Sequence, residues 1–103
     1  KDSYIQPHAR FKPESIFYLK GEIASLQLDN TGKLLRRFIL NEETPYIQIP
    51  ADTFHSLISL KENSSIGVIT VGPQEQLYRK EAQFAPTEKE NYMEYFDHLK
   101  SFV

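Results

Sequence analysis

The chain reads as an all-β sandwich or barrel followed by one carboxy-terminal helix. Short segments rich in Ile, Leu, Phe and Tyr recur between Tyr4 and Val71, turn residues separate them at intervals of about eight to twelve, and the periodicity changes after Thr87. Strands are expected at Tyr4–Arg10, Ser15–Leu19, Glu22–Leu28, Leu34–Leu40, Tyr46–Ile49, His55–Leu60 and Ile66–Val71. Asp29-Asn30-Thr31-Gly32 is a hairpin signal, because Asn and Gly tolerate the positive φ that tight turns require. Lys61-Glu62-Asn63-Ser64-Ser65 reads as a second, looser turn.

After Thr87, the residues Tyr92, Tyr95, Phe96, Leu99, Phe102 and Val103 recur mostly at three- and four-residue steps, the pattern of an amphipathic helix. Thr87 and Glu90 form a capping-box pair at its expected start. The aromatic stripe is expected to lie on the outside of the sheet as core. One domain is expected, with residues 1–86 as the β-barrel and 87–103 as the helix packed on it. The segment from Gly72 to Pro86 has no clear period and reads as a connection. There is no internal repeat and no low-complexity tract.

A chain of 103 residues buries roughly two-thirds of its unfolded surface, enough for a real core without staples. It contains no cysteine, which excludes disulfides and thiolate metal sites and suits a reducing compartment. A metal would therefore need His and carboxylate ligands. Twelve Lys and Arg against fourteen Asp and Glu give a net charge of −2, with neither sign in a long block. That balance argues against nucleic-acid binding. No apolar run approaches the roughly 20 residues that span a bilayer, and no secretory signal opens the chain, so a cytoplasmic protein with no membrane partner is expected. The opening Lys1-Asp2-Ser3-Tyr4-Ile5 has no initiator Met and enters strand-like sequence at once, which leaves room for a native amino-terminal segment before it.

His8 and Arg10 stand two apart in an expected strand and so share a face. Glu14 follows Phe11-Lys12-Pro13, a segment short enough to bring its carboxylate near them. Far along the chain, Pro50-Ala51-Asp52-Thr53-Phe54-His55 is a turn that opens a strand on a histidine. Two His and one carboxylate from separate strands, if they converge, match the ligand set of a non-haem iron facial triad and equally suit Zn or Mn. Open coordination positions would then remain for water or substrate. The structural alternative is a satisfied buried polar network.

Pro7-His8-Ala9-Arg10, then Glu14, then Gly21 resembles the first cupin motif, and Pro50-Ala51-Asp52-Thr53-Phe54-His55 resembles the second. Within the cupins the sequence is most similar to WbuC-type cupin-fold metalloproteins, whose pattern continues with the Gly-Pro and Phe-Ala-Pro found here as Gly72-Pro73 and Phe84-Ala85-Pro86. The resemblance spans nearly the whole chain, from about Tyr4 to the final helix. It implies a double-stranded β-helix (jelly-roll) barrel, a bacterial protein, and a setting in lipopolysaccharide O-antigen biosynthesis. It also implies a divalent metal, Fe, Mn, Ni or Zn, on His8, Glu14 and His55.

Two departures stand out. The family pattern has histidine where this chain has Arg10, and a guanidinium has no lone pair for a metal. Asp52 replaces a glycine common in the second motif, which says that this turn tolerates a side chain. With a metal bound, Arg10 must turn away or clamp an anionic substrate group. Without one, it pairs with Glu14 and fills the cation's place.

Tyr18 shares the parity of Glu14 and is read either as a ligand-binding hydroxyl, acting as acid or base, or as core. Gln6 shares the parity of His8 and either lines the same pocket or faces solvent. His98 is expected to be exposed, and Arg36-Arg37 to lie in a solvated strand. Three functions follow: a metal-assisted isomerase or epimerase acting on a sugar or sugar nucleotide; a non-catalytic sugar-binding or regulatory module with a degenerate metal site; and an interaction-only protein with a closed pocket. A homodimer through the sheets is compatible with all three.

Overall fold

The computed structural model describes residues 4–10, 12–70 and 79–103. Within them the chain forms β1 (His8–Arg10), β2 (Glu14–Lys20), β3 (Ile23–Leu28), β4 (Leu34–Leu40), β5 (Tyr46–Ile49), β6 (Phe54–Ser59), β7 (Ser65–Thr70), β8 (Arg79–Glu81) and α1 (Met93–Lys100). These strands make two antiparallel sheets, a five-stranded one ordered β4-β3-β6-β1-β8 and a three-stranded one ordered β5-β2-β7. The all-β expectation with one terminal helix therefore holds. No described helix is long and apolar enough to cross a membrane.

Alternation assigns the faces. On β3, Ala24, Leu26 and Leu28 join a cluster with Ala9, Phe54 and Ile58 beneath Phe96 and Leu99 of the helix. Ile23, on the opposite face of β3, joins Leu40 and the three-stranded sheet's Ile16, Ile47 and Ile49. The five-stranded sheet is thus covered by α1 on one side and by the smaller sheet on the other. Each fully buried Leu or Ile here contributes about 1.5–3 kcal/mol relative to exposure.

The β3–β4 hairpin turns on the predicted residues. Asp29 N–H donates to Lys33 O at 2.9 Å, Gly32 N–H to Asp29 O at 3.1 Å, and Gly32 takes φ +93°. The second turn carries Asn63 at φ +60°.

Three local expectations need correction. The predicted strand Tyr4–Arg10 is regular only from His8, because Pro7 has no N–H for a ladder. The preceding residues are anchored by side chains instead: Tyr4 OH donates to Pro86 O at 2.7 Å, and Gln6 Nε2 to Ala82 O at 2.9 Å. The helix starts at Met93 rather than after Thr87. The capping-box pair closes on its own turn, with Thr87 N–H donating to Glu90 Oε1 at 3.0 Å and Lys89 N–H to Thr87 Oγ1 at 3.3 Å.

The third is β8, which falls inside the expected connection; its Arg-Lys-Glu sequence gives no apolar alternation, though charge suits an edge strand. Gly72-Pro73 lies outside the described residues. Phe84-Ala85-Pro86 fixes the path to the helix: the Phe84 ring stands edge-on to Phe54 at 5.4 Å, and the Ala85 and Pro86 carbonyls accept from Gln6 and Tyr4.

Candidate metal centre

Strand alternation sends Ala9, 3 % exposed, into the core under the helix, so its neighbours His8 and Arg10 face the interior between the sheets. His55 on β6 is the register partner of His8, and their ring centroids lie 4.5 Å apart at 61°. Glu14 begins β2 in the other sheet, and its carboxylate meets the histidines from the facing side. It is 4 % exposed. One ligand atom from each of His8, Glu14 and His55 lies within 4.8 Å of the other two.

Both imidazoles are held alike. His8 Nδ1 lies 3.1 Å from Gln6 O and His55 Nδ1 lies 3.3 Å from Thr53 O, each carbonyl two residues upstream. A carbonyl only accepts, so Nδ1 carries the proton in both rings and Nε2 is left with its lone pair in the neutral form. This is the backbone support that metal-binding histidines commonly have.

The turn before β6 is tied to the same strand. Asp52 N–H donates to Arg10 O at 2.8 Å, and Asp52 adopts φ +56°, a conformation Asp reaches at modest cost. The position where the resembling motif has glycine is thus a left-handed one.

Glu14 Oε1 lies 3.3 Å from His55 Nε2 and 3.3 Å from Arg10 Nε. A carboxylate this buried requires cationic or hydrogen-bonding partners; Arg10 supplies the cation, while neutral His55 turns the Nε2 lone pair toward the same oxygen, an approach that a shared cation would relieve. The donor set fits a divalent cation. An ion about 2.0–2.2 Å from each donor holds adjacent donors roughly 3.0–3.5 Å apart, which the His55–Glu14 pair already satisfies. A metal and the Arg10 guanidinium compete for the same oxygen, so metal binding requires Arg10 to move to the second oxygen or to another anion.

The structure thus brings together His8, Arg10, Glu14 and His55. It does not bring Tyr18 to them. Tyr18 lies four residues further along β2, about 13 Å at strand spacing, and lines a separate polar cavity with Gly21, Glu22, Asn41, Glu42, Glu43 and Lys61. It also packs against the apolar cluster between the sheets, the core alternative. Gln6 is 5 % exposed, and its amide nitrogen donates to Ala82 and Ala85 carbonyls, so it meets the site through its backbone oxygen on His8. His98 is exposed, with its ring 4.9 Å from that of Phe102.

Two neighbours escaped the sequence reading. Glu81 on β8 is the register partner of His8, and Gln27 on β3 is that of His55. Glu81 sits in the unforeseen strand. Gln27 alternates with Leu26 and Leu28, a pattern that reads as a solvent-facing polar position. No protein-family model, no curated protein and no solved structure matches this chain.

Proposed function

We propose that this chain is a cupin-type metalloprotein of the WbuC kind, binding a divalent cation on His8, Glu14 and His55 and acting on a sugar or sugar nucleotide. The observation that supports it most directly is the convergence of three donors from separate strands, with both imidazoles oriented by upstream carbonyls. Bound there, the cation supplies Lewis-acid polarisation of a ligand carbonyl or hydroxyl, the chemistry that isomerisation or epimerisation needs. Glu14 and the two Nε2 atoms hold the ion. Arg10, whose side chain keeps 22 % of its surface exposed, binds an anionic group of the ligand in the open sector.

One contact favours a second reading, a non-catalytic sugar-binding module. Arg10 Nε at 3.3 Å from Glu14 Oε1 is the arrangement in which a guanidinium replaces the cation. Metal analysis of purified protein separates the two readings. The enzyme reading predicts stoichiometric Fe, Mn, Ni or Zn that is lost in His55→Ala. Protein that stays metal-free after incubation with each ion, yet binds an anionic sugar in an Arg10-dependent manner, supports the binding module instead.

A further inference from the structure

Every residue of β3 is buried, yet its two faces differ in kind. Ala24, Leu26 and Leu28 face the helix, while Ile23, Ser25 and Gln27 face the smaller sheet. Ile23 belongs to the apolar cluster there, and the two positions nearer His55 are polar. Gln27 is 3 % exposed and pairs in register with His55. Cross-strand neighbours on one face have Cβ atoms about 4.5–5.5 Å apart, so a carboxamide stands beside the imidazole that faces Glu14. Ser25, wholly buried on the same face, has a hydroxyl with no hydrogen-bond partner among the described residues. Buried polar groups are ordinarily satisfied, so this stripe of polarity in a packed interior calls for a polar occupant.

We infer that Gln27, with Ser25 behind it, is the ligand-reading side of the site, and that the ligand is a polyhydroxylated carboxylate. A carboxamide presents donors and an acceptor together, which matches a hydroxyl group. The guanidinium of Arg10 matches the carboxylate. Gln27 is then a specificity-determining residue: it distinguishes a hydroxylated acid from a bare one. The inference deepens the proposed function and rests on it for the metal and Arg10, while the role of Gln27 can be measured separately.

The test is titration of the Co2+-loaded protein with gluconate and with acetate, followed through the visible Co2+ bands. The parent is expected to bind both saturably. Gln27→Met should keep Co2+ stoichiometry, the Co2+ spectrum and acetate affinity within about twofold, and weaken gluconate by about tenfold, as expected for one lost buried hydrogen bond. Gln27→Asn should fall between, and it decides the matter should Gln27→Met lose its fold by circular dichroism. Unchanged gluconate affinity, equal losses for both acids, loss of Co2+ in the variants, or a parent that does not bind gluconate overturns the inference. Should the parent fail to bind Co2+, the metal reading falls on its own. Gluconate is then titrated calorimetrically against metal-free protein, where a tenfold loss in Gln27→Met upholds Gln27 and no binding to the parent overturns it.

Discussion

A guanidinium stands at Arg10, where a histidine would add a fourth donor to His8, Glu14 and His55, and it lies against the Glu14 oxygen that a cation would need. Arg10→His removes that competitor and adds a lone pair. Metal affinity should rise by at least about tenfold, about 1.4 kcal/mol, measured by competition with a chromogenic chelator. A fall or no change would show that Arg10 does not oppose the cation. His8, Glu14 and His55 were legible in the sequence because each sits in a motif-like setting of turn and strand. Gln27 was not, because alternation with leucines has the same appearance whether the second face meets water or another sheet. Only the pairing of the sheets makes that face interior.

Turns hold the strands in the register that the site requires. Gly21, at φ +85°, lies against the Lys61–Ser65 turn, where Glu22 N–H donates to Ser64 Oγ at 3.1 Å and the Ser64 hydroxyl donates to Lys61 O at 2.6 Å. An added Cβ would lie 2.7 Å from Ser64 Cα and closer still to Ser64 Oγ. Gly21→Ala should therefore cost about 2–5 kcal/mol, from the left-handed backbone together with the clash. Thermal unfolding should show it as a drop of more than about 10 °C, and an unchanged midpoint would contradict this packing.

The Asp29 turn gives a pH prediction. Its carboxyl is held below the ordinary aspartate value by hydrogen bonds from the Thr31 hydroxyl and from the Lys33 and Thr31 amides. A lowered folded-state value means that the contribution is present above the unfolded value and is lost as pH falls through the folded one. The thermal midpoints of the parent and Asp29→Ala should thus converge as pH drops below about 4; a constant gap would contradict it. This hairpin was readable because its turn chemistry is local. β8 and the true start of α1 were not, the first being a charged edge strand and the second being displaced by a capping pair that closes a separate turn.

Across the whole molecule, the space between the sheets divides in two. One part is apolar, around Ile16, Ile23, Leu40, Ile47 and Ile49, and gives the sheets their cohesion. The other holds Glu14, His8 and His55, polar groups offset there by the Gln6 and Thr53 carbonyls on the imidazoles and by Arg10 beside the carboxylate. The helix covers the opposite face of the larger sheet, so the site owes it rigidity and no side chain that carries chemistry. The all-β character and the helical stripe were legible because binary patterning is fixed by period. Which strands pair within each sheet was not, since long-range pairing leaves no local mark. The most direct measurement is anomalous diffraction from crystals grown with Mn2+. One peak is expected between the sheets, within bonding distance of His8 Nε2, His55 Nε2 and a Glu14 oxygen. Density with no peak there and Arg10 still on Glu14, or with His55 turned away from His8 and Glu14, would contradict it.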